Sequence, residues 1–124
     1  MKTKSGHYFV SPDNGTLTLI AESLGIETIT EIDENLNRRA RSSQSYTFHG
    51  RDVYAYTGAR LAAGVICFEQ VGKLLPNESL IKIPYTKAKL AGDSLKGTIP
   101  VLDIQYGNIW TNISDSLMKL WSIK

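Results

Sequence analysis

A single cysteine in 124 residues sets the first limit on this chain. Cys67 has no second cysteine to pair with, which excludes an internal disulfide and a cysteine metal cluster. An excess of one charge is also missing. Lys and Arg number 14 against 12 Asp and Glu, and a net +2 is too small to argue for nucleic acid or a membrane surface as partner. No apolar run approaches the length of a membrane span. Lys2 and Lys4 are followed by no apolar core, so no signal peptide is expected and a cytoplasmic location is the default. Repeats and low-complexity segments are absent too. What remains is ordinary globular composition, 42% hydrophobic and 21% charged, at a length suited to one domain with a real core.

Taken in order, Tyr8-Phe9-Val10 is a short apolar run that ends at the turn-forming stretch Ser11-Pro12-Asp13-Asn14-Gly15. Leu17, Ile20, Ala21 and Leu24 then recur at helical spacing, with Gly25 as terminator. Ile26 to Ile32 reads as a strand. Asp33 to Ser45 is polar and holds Arg38, Arg39 and Arg41; with Asp33 and Glu34 beside them, these read as a solvated loop or helix face. Phe68 to Leu75 is weakly helical and ends at Pro76-Asn77. From Leu80 onward β-type patterning dominates, in Leu80-Ile81-Lys82-Ile83, Ala88-Lys89-Leu90 and Ile99 to Ile104. The expected fold is therefore α/β over residues 1–76, with parallel-type strands and helices, followed by an all-β part over 77–124 that begins a small barrel-like domain.

The stretch with most chemistry is Thr47-Phe48-His49-Gly50-Arg51-Asp52. Behind it, Val53, Tyr54, Tyr56, Thr57 and Leu61 supply bulk, while Ala55, Gly58, Ala59, Ala62 and Ala63 permit close approach. Asp52 suits an N-cap and Gly64 a stop. His49 then precedes a helix N-terminus, where free N–H groups favour an anion or a polarised water. Gly50 gives a ligand access to the backbone. By local pattern alone, the simpler reading is a capped helix behind a surface histidine.

The second informative stretch runs from Val101 to Ile113. With Tyr106-Gly107 as a hairpin loop, Gln105 faces Asn108, Ile104 faces Ile109 and Asp103 faces Trp110. Alternation then puts Leu102, Ile104, Ile109 and Ile113 on an apolar face suited to a core. Asp103, Gln105, Asn108, Trp110 and Asn112 fall on the other. A solvent-facing side and a face for a small polar-aromatic ligand fit that second set equally well. Ser114-Asp115-Ser116 suits the cap of a terminal helix presenting Leu117, Leu120 and Trp121.

Three stretches together carry a family resemblance: Pro12-Asp13-Asn14-Gly15, Thr47 to Asp52, and Asp103 to Asn108 with Trp110-Thr111-Asn112-Ile113. From about Tyr8 onward the chain resembles the S-adenosylmethionine hydroxide adenosyltransferases, relatives of the fluorinating and chlorinating enzymes. The resemblance implies hydrolysis of S-adenosylmethionine to adenosine and methionine by attack of water or hydroxide at the ribose C5′. The sulfonium is already a good leaving group, so the reaction asks for in-line placement of a desolvated nucleophile. A histidine, rather than a small hydroxyl-bearing residue, leans toward water over a halide.

By the same resemblance, His49 is among the groups that hold or deprotonate the water, and Thr47, Phe48 and Gly50 line the reacting end. Asp103 pairs with the methionine ammonium. Asn108 reads the adenine edge, while Tyr106 and Trp110 pack near the adenine. Neither a metal nor a cofactor is implied; S-adenosylmethionine is the substrate. Family members form trimers, with each site built by the α/β domain of one subunit and the β domain of its neighbour.

Departures accompany the resemblance. The family carries an α/β segment ahead of Pro-Asp-Asn-Gly, with a ribose-binding Asp and a Val-Asp-Pro-Gly-Val-Gly-type stretch; neither is in this sequence. Tyr54 and Tyr56-Thr57 stand where Phe and Pro-Ala are commoner. A truncated or partial chain is therefore expected, with poor catalysis of its own. A non-catalytic adenosine-binding or assembly module is the alternative, and a small structural domain the third reading.

Overall fold

The computed structural model describes residues 1–43 and 46–122. These divide into two compact units, Met1–Ile83 and Pro84 onward.

In the first unit, β2 (Ile26–Ile32) is the centre of a three-stranded sheet, between β1 (Lys2–Thr3) and β3 (Gly72–Leu75). β2 has the bounds that its β-branched run predicts. Both pairings are antiparallel, Thr3 opposite Ile26 on one side and Ile29 opposite Leu75 on the other. The parallel-type strands expected here are thus corrected to antiparallel ones. The correction has a local source: Phe68 to Leu75 is not one weak helix. It is a 3₁₀ turn, Phe68–Gln70, followed by β3, which returns directly along β2. Tyr8-Phe9-Val10 contributes a single bridge, Tyr8 to Lys2, rather than a strand; the Tyr8 ring stacks on Phe68 at 5.3 Å instead.

Helix α1 (Thr18–Leu24) follows the turn at Asn14-Gly15 and stops at Gly25, whose φ is 67°. Leu17 and Ala21, four apart, bury against Met1, Ile29 and Leu80, with Phe9, Ile20, Ile26 and Leu75 packed around them. Gly15 has φ 90°, and a Cβ there would lie 2.3 Å from Ile83 Cγ1, so only glycine fits. The run Leu80 to Ile83, read as strand, forms none. It is tied to this unit by Ile81 N–H on Asp13 Oδ1 (3.0 Å) and Ile83 N–H on Thr18 Oγ1 (2.9 Å). The first compact unit accordingly ends at Ile83.

The central helix begins as a π-helical segment, Gly50–Ala55, and continues as α2 (Tyr56–Ala62). Val53 and Thr57 are buried and Leu61 half-buried on its inner stripe. Gly64, with φ 66°, lies just beyond. The polar stretch Asp33 to Ser45 is organised around Asn37, which is fully buried. Its Nδ2 donates to the Gln70 and Val71 carbonyls at 3.2 and 2.8 Å, its Oδ1 accepts from Arg60 Nη1 at 2.7 Å, and its carbonyl accepts from Thr57 Oγ1 at 3.2 Å. Gln44 and Ser45, the end of that stretch, lie outside the described residues.

In the second unit, β4 (Lys89–Ala91) pairs with β5 (Ser94–Lys96) across Gly92-Asp93, and β6 (Val101–Asp103) with β7 (Asn108–Trp110). These are separate two-stranded sheets; no closed barrel forms among the described residues. Asn112 joins their surroundings, accepting from Thr98 N–H at 2.8 Å and donating to the Thr86 carbonyl at 2.9 Å. Helix α3 (Asp115–Ser122) is capped by Ser114 Oγ, which accepts from Leu117 N–H at 3.3 Å. Trp121 Nε1 donates to the Asp93 carbonyl at 2.8 Å. The chain is thus mixed α/β, with helices and small antiparallel sheets.

Replacing Asn37 by Ala removes the donors to the Gln70 and Val71 carbonyls and a buried acceptor for Arg60. Urea unfolding of Asn37→Ala should show a stability loss of about 1–3 kcal/mol. Exposed Asn35→Ala should stay within about 0.5 kcal/mol of wild type.

Candidate functional site

His49 stands at the entry to the π-helical segment, in right-handed helical conformation (φ −55°, ψ −35°), with its side chain half-buried. The chain turns inward here because the N–H groups of Arg51 and Asp52 both donate to the Phe48 carbonyl, at 3.1 and 2.9 Å. Asp52 is therefore not the N-cap that the sequence suggests. It lies within the first turn, fully buried, where Arg51 grips its carboxylate through Nε to Oδ1 (2.7 Å) and Nη2 to Oδ2 (2.9 Å). Arg51 lies in turn over the Phe48 ring, 4.8 Å from its centroid. The Arg51 hydrogen bonds, opposed by burial and aided by the charges of Arg51, Arg39 and Arg38, hold the Asp52 carboxyl below its ordinary range.

Four residues that sequence reasoning left outside the site surround the imidazole. Arg38 Nη2 donates to His49 Nε2 at 3.4 Å, and Glu34 Oε1 lies 3.8 Å from the same nitrogen. The Tyr46 and Tyr54 rings are tilted against His49, with centroids 5.9 and 6.5 Å away. Arg38 is not the solvated arginine expected of its polar run. Its side chain is only 9% exposed, bonded through Nε and Nη2 to Glu34 Oε2 and lying 5.6 Å from the Tyr46 ring. The signal that would have found it is the Glu34–Arg38 spacing of four, which joins one acidic and one basic side chain across a turn.

Of the other expected residues in this stretch, Thr47 and Phe48 are exposed, Phe48 by 52%. A side chain at Gly50 would meet open space, so the backbone is accessible there. A cavity of about 300 Å³ opens within the same unit. Its wall is mainly apolar, with Phe9, Leu17, Ile32 and Val53, but Glu34 and Tyr54 also line it and connect it to the histidine's surroundings. Thr30 Oγ1 is buried without a hydrogen-bond partner among the described residues.

In the second unit the hairpin forms, but with another register. Asp103 faces Asn108, Leu102 faces Ile109 and Val101 faces Trp110, so the turn is Ile104-Gln105-Tyr106-Gly107. The expected facing of Asp103 with Trp110 is therefore corrected. The shift is by two, which leaves every strand residue on the face that alternation assigned it. Asp103, Asn108 and Trp110 do share one face. Asp103 is half-buried, while Asn108, Tyr106 and Trp110 are exposed, the last two by 72% and 62%. The opposite face is not a core: Leu102, Ile104 and Ile109 are 65%, 89% and 63% exposed. Asn112, also expected on the ligand face, spends its amide on the Thr98 and Thr86 backbone.

Residues 1–72 match the profile of the SAM hydroxide adenosyltransferase N-terminal domain. The chain belongs to that family. It is 42% identical over 114 residues to the (R)-S-adenosyl-L-methionine hydrolase of Methanocaldococcus jannaschii, an alignment spanning 91% of this chain and 35% of that one. Identity is 32% over 111 residues to the (R)-S-adenosyl-L-methionine hydrolase of Salinispora tropica (89% and 41%), and 28% over 113 residues to the fluorinase of Actinoplanes sp. (90% and 37%). Among solved structures, an uncharacterized conserved protein from Thermotoga maritima matches with a TM-score of 0.86 and 37% identity, over all of this chain and 45% of that one. The chain thus spans between about a third and a half of the length of these relatives. Among the described residues, no helix is long and apolar enough to cross a membrane, and no group of His, Cys, Asp and Glu is arranged to hold a metal ion.

The Arg51–Asp52 clamp has a pH consequence. Asp52 is held below its ordinary value in the folded chain, so its stabilisation is present at neutral pH and is lost as pH falls through that depressed value. Asp52→Asn should flatten the acid limb of a stability-versus-pH curve, measured by urea unfolding at a series of acidic pH values.

Proposed function

We propose that this family member hydrolyses S-adenosylmethionine to adenosine and methionine. The observation that carries the proposal is the half-buried imidazole of His49, gathered with Glu34, Arg38 and Tyr54 at the start of the central helix. Its kinship supports the same choice: the Methanocaldococcus jannaschii hydrolase, at 42% identity, is more similar to this chain than the Actinoplanes fluorinase, at 28%.

In the reaction a water oxygen bonds to the ribose C5′ as the C5′–S bond breaks, and the electron pair leaves on the sulfur of methionine. The water gives up one proton. His49 holds that water or accepts its proton, and Thr47, Phe48 and Gly50 line the reacting end. Asp103 pairs with the methionine ammonium, a charge-assisted bond. The Asn108 amide reads the adenine edge, while Tyr106 and Trp110, both exposed, offer faces for the ring. Resident metals and cofactors have no part in this scheme. Trimeric assembly and a cytoplasmic setting belong to the same proposal.

The test is to incubate the purified chain with S-adenosylmethionine and follow adenosine by chromatography and mass spectrometry. Wild type should form adenosine, and His49→Ala should form it about 100-fold more slowly. Trp110→Ala should weaken adenosine binding, measured by calorimetry, by about tenfold or more. Adenosine binding without turnover, indifferent to His49→Ala, would instead identify a non-catalytic binding or assembly module. A folded chain that binds no adenosine compound would be a structural domain.

A further inference from the structure

We propose that Arg38, held in place by Glu34, is a positioning residue that fixes His49 as its Nδ1–H tautomer. The argument begins with what each group is able to do. A guanidinium carries only donors and stays protonated, so it presents an N–H to whatever it faces. The group that Arg38 Nη2 faces is His49 Nε2, at 3.4 Å. Only a lone pair can accept there. The ring proton of the neutral imidazole then resides on Nδ1.

Free histidine side chains in water favour the opposite tautomer, with the proton on Nε2, so the arrangement needs a donor that stays in place. Arg38 is such a donor. Its Nε and Nη2 both reach Glu34 Oε2, its Nη1 reaches the Ser42 carbonyl at 3.5 Å, and its guanidinium lies beside the Tyr46 ring. With the side chain only 9% exposed, few alternative rotamers remain open to it. Glu34 has a second effect, because Oε1 lies 3.8 Å from His49 Nε2 and favours a proton there. Arg38 opposes that proton by charge and takes the lone pair by hydrogen bonding. The other groups facing the ring are the aromatic faces of Tyr46 and Tyr54.

The consequence for catalysis rests on the hydrolase reading. An imidazole whose Nε2 is engaged by Arg38 offers a donor, Nδ1–H, to the attacking oxygen. Of the two roles open to His49, holding the water and taking its proton, this selects the first, and the proton that the water loses passes to bulk solvent. The tautomer itself does not depend on any substrate.

The test is nitrogen-15 NMR of the chain labelled in histidine, at a pH where both imidazoles are neutral. His7 is the only other histidine and serves as the internal reference. Wild type should show His49 mainly as Nδ1–H. Arg38→Met keeps the apolar stem and removes the donor, and should move His49 to a majority of Nε2–H while leaving His7 unchanged. Arg38→Lys, which retains a donor, should restore part of the wild-type signal. A wild-type spectrum dominated by Nε2–H would overturn the proposal, and needs no variant to fold. So would an Arg38→Met protein, folded by circular dichroism, that keeps Nδ1–H. The expected tautomer in a chain that makes no adenosine would reject the hydrolase reading and leave the Arg38 assignment intact.

Discussion

The Asn37 side chain is the constraint on which the first unit depends. Its two donors and its acceptor are satisfied by two different parts of the chain: the carbonyls ahead of β3, and Arg60 on α2. Its own carbonyl receives Thr57 from the buried stripe of that helix. One residue thus joins the polar stretch, the edge strand and the helix that carries His49 at its start. A buried amide left without these partners costs about 1–3 kcal/mol. An exposed pair such as Lys119–Asp115, with side chains 72% and 78% exposed, contributes at most about 1 kcal/mol. The buried amide wins that comparison, and it also decides geometry. Glu34 and Arg38 flank Asn37 in sequence, so the turn that buries Asn37 also carries both of them to the imidazole.

The second constraint is the clamp of Arg51 on Asp52. A buried carboxylate needs a partner that meets both oxygens, and an adjacent guanidinium meets them in a fork. Asp52 also ties the helix start to the preceding loop, since its carbonyl accepts from Arg39 N–H at 2.8 Å. Both charged residues of the Phe-His-Gly-Arg-Asp run are therefore committed to the fold. The histidine just ahead of them is placed by their backbone bonds to Phe48. π-helical turns are uncommon and recur at functional sites, and this one begins at the glycine beside that histidine.

These commitments explain what could be read from the sequence. β2 was legible because a run of β-branched residues needs no distant partner to announce itself. α1 was legible from apolar spacing ended by glycine. β3 was not, because Gly72 to Leu75 is too short to show a period, and its pairing with Ile29 to Ile32 is a long-range choice. The hairpin at Gly107 was legible, but its register was not. A glycine marks a turn without stating its length, and Tyr106 N–H closes it on the Asp103 carbonyl at 3.2 Å. Glu34 and Arg38 escaped notice because a charged run looks alike whether its members face water or an imidazole. Only the folded turn distinguishes Arg38, nearly buried, from exposed Arg39 and Arg41.

The same distinction separates the polar groups that the fold consumes from those it leaves open. Asn37 and Asn112 are amides whose donors and acceptors are spent on neighbouring backbone and Arg60. Asn108 is an amide too, yet it is exposed, and among the described residues its side chain makes no hydrogen bond. Trp110 and Tyr106 contrast in the same way with Trp121, whose indole N–H is taken by the Asp93 carbonyl. A side chain retained for folding has its partners inside the chain, whereas one retained for recognition keeps its valences open until the ligand arrives. On that criterion Asn112 sorts with architecture, while Asn108 and Trp110 keep the open groups that the proposed function assigns to a ligand, although only two residues separate Trp110 from Asn112. Composition and alternation give them the same description. The destination of their hydrogen bonds tells them apart.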